Sequence, residues 1–204
     1  MKLRILARFL SLIIAVISVS MLFPLAWAIK DGSADVRSFV ISIAIGAVFG
    51  GVLYLLGKGA DPKDMGAREA FAAVTLAWVF ASLQGCLPYM VGGWIPSFTD
   101  AYFEAMSGFT TTGASILPAV EPLQHGILFW RSFTHWIGGM GVLVFLLCLL
   151  PLTGSGYHMN LMKAESPGPS VTKLVPKVQS TAKILYGRYL FLTVLEFEIG
   201  RASC

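Results

Sequence analysis

The chain has 204 residues, 56% hydrophobic and only 13% charged, with a mean hydropathy of +0.74 and a formal net charge of +4. A soluble domain carries ~25% charged residues, so this composition excludes an ordinary water-soluble globule and reads as an integral membrane protein. The fifteen Lys and Arg are scattered through short loops without an aromatic-interleaved basic patch, so the positive balance speaks of membrane topology and against a nucleic-acid partner.

Taken in order, Lys2, Arg4 and Arg8 lead into an apolar run from about Ile5 to Ile29, long enough to span, with Pro24 expected to kink its far end. Ala26-Trp27-Ala28 also fits a signal-peptide cleavage pattern, but the run exceeds the usual apolar core of such peptides. The polar turn Lys30–Arg37 precedes a second span, Ser38–Leu56, which carries Gly46 and Gly50 at the spacing that lets helices pack closely. A loop rich in charge, Gly57–Glu69, leads to a third span over about Ala70–Val91, with Pro88 marking its outer end. The organisation expected is two leading transmembrane helices over 1–56 and a helix–loop–helix unit over 67–150.

Between the third span and the fourth, Gly126–Leu150, lies the informative stretch. Phe98–Phe109 predicts a helix of about 18 Å at 1.5 Å per residue, too short for a ~30 Å hydrocarbon core. Such a helix enters the membrane without crossing it. Ser107-Gly-Phe-Thr-Thr-Thr-Gly-Ala-Ser115 follows, with Pro118 and Pro122 bracketing the return. Three β-branched hydroxyl residues disfavour more helix and Gly113 permits φ > 0, so Thr110–Gly113 is expected to run as an extended strand with its carbonyls turned to one side. The negative end of the helix dipole points at those carbonyls, which suits a cation in a membrane.

Asp100 and Glu104 lie four apart and so share a helix face, with Glu121 beyond the loop. They are placed to gather cations at an outer mouth, although the helix dipole alone favours Asp100 where it is. Arg131, near the start of a span, is expected either to pair with Glu104 or Glu121 or to snorkel to the outer surface. His125, His135 and His158 share no metal-ligand spacing, and Cys86, Cys148 and Cys204 form neither a Cys-x-x-Cys nor a zinc pattern. No enzyme motif and no cofactor site is read. Gly138-Gly139-Met140-Gly141 lies within a span without a preceding strand, so it reads as tight packing or helix flexibility and not as a dinucleotide fingerprint.

After Pro151 the chain is polar, and 152–183 carries Lys163, Lys173, Lys177 and Lys183. Residues 151–183 are expected as a cytoplasmic linker, 184–197 as the truncated start of a further unit, and 198–204 as a non-native tail. Lys and Arg number three at the N-terminus, three in Gly57–Glu69 and four in the linker, against two in Lys30–Arg37 and none in the pore loop. By the positive-inside rule the N-terminus is cytoplasmic and the Thr-rich loop opens outward.

Tyr102–Ser115 (Tyr-Phe-Glu-Ala-Met-Ser-Gly-Phe-Thr-Thr-Thr-Gly-Ala-Ser) resembles the first pore loop of the TrkH/KtrB family of potassium transporters. Trp130-Arg131-Ser132 and Trp136-Ile-Gly-Gly-Met-Gly141 look like the start of the pore-lining helix that follows there. The resemblance covers roughly Met1–Phe197. It implies an all-α membrane fold of two leading helices plus one helix–re-entrant loop–helix unit of a four-repeat, potassium-channel-like architecture, cut off in the second repeat. It implies a selectivity filter on the carbonyls of Thr110, Thr111, Thr112 and Gly113, with Thr111 and Thr112 on potassium; Asp100, Glu104 and Arg131, read from the residues alone, are expected to support the pore loop. Potassium uptake across a bacterial inner membrane follows, passive or ion-coupled, with a second copy and a cytosolic nucleotide-binding subunit as partners besides lipid. One rival is a homotetrameric single-unit channel, against which stand the absent Thr-Val-Gly-Tyr-Gly filter and the two leading helices. Another is a membrane-embedded enzyme or non-transporting assembly factor, which needs paired ionisable groups within the spans, where only Arg131, Arg188 and Glu196 come near.

Overall fold

The computed structural model describes residues 2–60, 65–139, 141, 184, 186–196 and 198. Among these, all regular structure is helical: α1 (Leu3–Ser20), α2 (Leu22–Lys30), α3 (Asp35–Leu56), α4 (Ala67–Gly85), α5 (Leu87–Val91), α6 (Phe98–Phe109) and α7 (His125–Gly139), with 186–196 helical as well. Three stretches are long and apolar enough to cross a membrane: Leu3–Lys30, Asp35–Leu56 and Arg68–Val91.

Two of these spans are interrupted, each by a proline. Pro24 has no N–H for the Ser20 carbonyl and its ring crowds it, so the helix breaks at Met21, before the proline, and not at the far end expected. The ladder resumes with Leu25 N–H on the Met21 carbonyl at 3.1 Å. Pro88 acts likewise on the Gln84 carbonyl. The break falls at Cys86 and the run continues as α5 to Val91, so Pro88 lies inside the span and does not mark its end.

α1 is the packing centre. Ile5, Leu6, Phe9, Leu10, Ile13, Ile14 and Ile17 recur with helical period and are all buried, facing α3 on one side and α4 on the other. Both partners meet it with small side chains. On α3, Ser38, Ser42, Gly46 and Gly50 fall at every fourth position and are buried; a Cβ at Gly46 would strike the Ser18 hydroxyl and the Gln84 amide. On α4, Ala70, Ala73, Ala77 and Ala81 are buried and admit both α1 and α6. The opposite face of α3, with Val48, Val52, Leu55 and Leu56, stays exposed, as suits a helix whose surroundings are hydrocarbon.

α6 lies between α4 and α7. The fourth span expected over Gly126–Leu150 is described as α7 to Gly139; 142–150, the linker 151–183 and the tail beyond 198 lie outside the described residues. Residues 186–196 meet the end of α7, where the Tyr189 hydroxyl donates to the Trp136 carbonyl at 3.1 Å and the Trp136 indole donates to Thr193 Oγ1 at 3.1 Å.

Candidate functional site

The Phe98–Phe109 helix forms as a half-length element. Ser97, extended at φ −74°, ψ 125°, caps it by accepting from the Asp100 N–H at 3.5 Å. Its other end carries the Thr-rich stretch, and there the backbone departs from the extended strand expected. Thr111 N–H bonds the Gly108 carbonyl and Thr112 N–H the Ser107 carbonyl, each at 3.0 Å, with Thr111 between them at φ 56°. These are the bonds of a Schellman motif, whose left-handed position is usually glycine. The reason is local: Ser107 and Gly108 are buried, and their carbonyls, orphaned at the helix end, need donors that a strand leaving directly would not supply. Gly113 follows at φ 75°.

The winding consumes the carbonyls of Ser107 and Gly108 but not those that come next. Among the described residues no hydrogen bond ends on the carbonyl oxygen of Thr110, Thr111, Thr112 or Gly113, and all four residues are exposed. Thr110 Oγ1 donates back to the Met106 carbonyl at 2.8 Å and is 2.8 Å from Thr112 Oγ1, so two hydroxyls of the triplet are tied up locally.

Behind the turn the loop is fixed at several points. The Ser107 hydroxyl donates to the Ala114 carbonyl at 2.6 Å. Glu104, 2% exposed, takes the Ser115 hydroxyl at 3.0 and 3.1 Å, the Ile116 N–H at 2.9 Å and the Arg131 Nε at 2.7 Å. One carboxylate thus joins α6, the returning loop and α7. A buried carboxylate needs such a partner, and a guanidinium on the neighbouring helix supplies charge and donors together. Of the two partners considered for Arg131, the geometry selects Glu104; Glu121 is exposed. Buried and paired with Arg131, Glu104 is not placed to gather cations at a mouth. Nor does Asp100 join this bracket: among the described residues its carboxylate makes no bond to the loop, and its backbone N–H is what the cap uses.

Three glycines bring the helices to this distance. A Cβ at Gly85 would meet the Phe109 ring, one at Gly108 the Thr134 hydroxyl, and one at Gly138 the Phe109 carbonyl. Phe109 is therefore gripped from α4 and α7, and Trp130 completes the grip edge-on at 6.4 Å while its indole donates to the Gly85 carbonyl at 2.9 Å. Gly138 thus serves tight packing, whereas Gly141 holds φ 67° where α7 has ended.

A second buried carboxylate was not singled out by the sequence. Asp35, 1% exposed at the head of α3, accepts from the Trp94 indole at 2.9 Å and from the Ile127 N–H at 3.3 Å. The Gln124 amide, oriented with its nitrogen toward the carboxylate, adds bonds at 3.1 and 3.3 Å. Beside it His125 Nδ1 lies 2.8 Å from Asp31. These contacts moor the far end of the loop to the leading helices. An acid in the first turn of an apolar span was the available signal, but water at the interface satisfies such a residue equally well. Among the described residues no three His, Cys, Asp or Glu are grouped to hold a metal; His158, Cys148 and Cys204 lie outside them.

Residues 35–199 match the TrkH family model, described as a cation transport protein. The chain is 36% identical over 196 residues to the Trk system potassium uptake protein TrkH of Halomonas elongata, covering 95% of this chain and 40% of that protein. It is 36% identical over 201 residues to the protein of the same name from Escherichia coli K12, with the same coverage. The crystal structure of the potassium transporter TrkH from Vibrio parahaemolyticus aligns at a TM-score of 0.72 and 30% identity, covering 96% of this chain and 38% of that one. The chain thus spans about two fifths of the length of these relatives. With the family model matched from Asp35 onward and the helical architecture shared, this chain belongs to the TrkH family of cation transport proteins and is a multi-pass, all-helical membrane protein.

Proposed function

We propose that this chain contributes one pore-lining unit to a potassium uptake protein, with the carbonyl oxygens of Thr110, Thr111, Thr112 and Gly113 turned to a dehydrated potassium ion. The observation that carries the reading is the run of four consecutive exposed carbonyls without an internal hydrogen bond, held from behind by Ser107, Glu104 and Arg131. A potassium ion in a low-dielectric pore exchanges water for oxygen ligands, and neutral carbonyls supply them without trapping it. The negative end of the α6 dipole faces the same place. Such a turn offers only part of an ion's ligand shell, so the reading requires further turns of the same kind around one axis, as a four-repeat architecture provides.

The relatives' names specify potassium uptake, and this is the cargo proposed here, with no resident cofactor. A second copy and a cytosolic nucleotide-binding subunit are proposed as partners on family resemblance alone. The membrane proposed is the bacterial inner membrane, with the N-terminus and 152–183 cytoplasmic and Ser115–Gln124 outside, on the distribution of Lys and Arg. Single-cysteine labelling in intact cells checks this, and modification of a cysteine at position 166 from outside would reverse the arrangement.

Gly113 provides the functional test. A Cβ there meets nothing within 4 Å, so Gly113→Ser is opposed only by φ 75°, a local strain of about 1–3 kcal/mol. In a full-length TrkH carrying this segment, the variant is expected to reach the membrane at normal level while needing more potassium for growth or admitting more sodium. Unchanged potassium selectivity would remove the loop from the filter. The 204-residue chain alone is expected to give no selective uptake in liposomes; potassium flux there would favour the homotetrameric channel.

A further inference from the structure

Away from the loop, a groove of about 700 Å³ runs between α1 and α3. It exists because Gly46, Gly50 and Gly51 leave α3 without side chains along that face, while Leu12, Ala15 and Val19 of α1 form the other wall. Gly50 and Gly46 are covered by Ile14 and Ser18, but at Gly51 a Cβ would meet nothing within 4 Å, so the groove is open there. From Arg8 to Leu22 it extends about 21 Å at 1.5 Å per residue, more than the ~15 Å depth of one leaflet of a ~30 Å hydrocarbon core.

One end of this apolar groove is positively charged. The half-buried Arg8 guanidinium lies 3.9 Å over the Tyr54 ring, and both residues line the groove. Among the described residues no carboxylate is within ion-pair distance of Arg8. Lys58, exposed one turn beyond Tyr54, adds a second cation at the same end, and Arg4 is exposed on the preceding turn of α1. Its position is fixed: the backbone of Arg8 packs so closely on Gly57 that a Cβ there would lie 2.6 Å from the Arg8 nitrogen.

We propose that the α1–α3 groove is a binding site for an anionic phospholipid, one acyl chain lying against Gly51 and the Leu12, Ala15 and Val19 wall and the phosphate on Arg8 and Lys58. The occupant follows from complementarity: an apolar slot as deep as a leaflet takes a chain, and a guanidinium at its rim takes a phosphate, with geometry that an ammonium matches only as a point charge. A zwitterionic lipid fills the slot equally well but gains less from the two cations.

The purified chain, delipidated and offered equal phosphatidylglycerol and phosphatidylcholine, is read by native mass spectrometry. The wild-type chain is expected to retain phosphatidylglycerol several-fold over phosphatidylcholine. Arg8→Gln with Lys58→Gln is expected to abolish that preference while chain binding persists. Gly51→Leu, whose side chain enters open space, is expected to lower retention of both lipids several-fold with helicity unchanged. Equal retention of the two lipids by the wild-type chain would overturn the proposal. So would unchanged retention in Gly51→Leu, which is the outcome if another stretch of the chain fills the groove or headgroups merely gather on the basic surface. The two variants fail independently, so misfolding of one leaves the other decisive.

Discussion

Two helices in this molecule end in the same way on different residues. At the end of α2, Gly32 N–H bonds the Ile29 carbonyl and Ser33 N–H the Ala28 carbonyl, with Gly32 at φ 61°. At the end of α6, Thr111 and Thr112 make the equivalent bonds to Gly108 and Ser107, with Thr111 at φ 56°. Glycine takes this conformation at little cost, whereas a side chain adds roughly 1–2 kcal/mol, and a β-branched one is a genuine outlier there. The turn between the leading helices follows the ordinary rule. The turn before the carbonyl run does not, and a strained residue persists only where its surroundings over-determine it.

Those surroundings are what differ. Gly32 is exposed, and a Cβ there would meet nothing within 4 Å. Around Thr111 the chain is held by Ser107 on Ala114, by Glu104 on Ser115 and Ile116, and by the Phe109 grip below. The comparison teaches that the helix-end bonds are common to both turns, whereas the bracket that accompanies a left-handed threonine is found only at the loop.

Removing the bracket is therefore the most damaging change. Glu104→Ala leaves the Arg131 guanidinium, 22% exposed, without its counter-charge and frees the Ser115 and Ile116 donors at once. Breaking a buried pair from one side costs about 3–5 kcal/mol. Denaturant unfolding in detergent is expected to show a loss of that size, and the double variant Glu104→Ala with Arg131→Leu is expected to recover part of it. A loss below about 1 kcal/mol would mean that the strained turn stands without Glu104.

The next change moves strain to the relaxed end. Gly32→Thr puts a β-branched residue at φ 61° with no packing contact to help or hinder it, so unfolding is expected to become easier by about 1–2 kcal/mol. A neutral result would show that the α2 end relaxes to another turn, which the α6 end, fixed on both sides, is not free to do.

How much of this was legible in the sequence follows the same division. Spans, loops and the half-length helix rest on hydropathy, length and proline, which act locally, and Gly113 announced its own positive φ. The breaks at Met21 and Cys86 were misplaced because a proline acts on the carbonyl four residues earlier, so the damage appears upstream of the residue one sees. Thr111 was read as strand because propensity is local, while the donors required by the buried Ser107 and Gly108 carbonyls are set by how deep α6 sits. Glu104 with Arg131 was legible only as one pairing among others, since 27 residues separate them. Asp35 was legible only as an acid in the first turn of a span and not as an anchor, because its partners Trp94, Gln124 and Ile127 lie far along the chain.

The smallest effect is expected where the strained residue itself is relieved. Thr111→Gly removes about 1–2 kcal/mol of left-handed cost. It also gives the unfolded chain more freedom, which offsets about 0.4–1 kcal/mol of the gain. The Thr111 side chain is exposed and its hydroxyl makes no hydrogen bond among the described residues, so no packing is lost. The net is a stabilisation under about 1.5 kcal/mol, read by the same unfolding measurement. If the bracket imposes the turn, the backbone stays in place and a full-length TrkH carrying Thr111→Gly keeps its preference for potassium. If instead the threonine holds the carbonyl run rigid, the variant gains stability and loses selectivity together, and the strain at this turn is then part of how the ion is chosen.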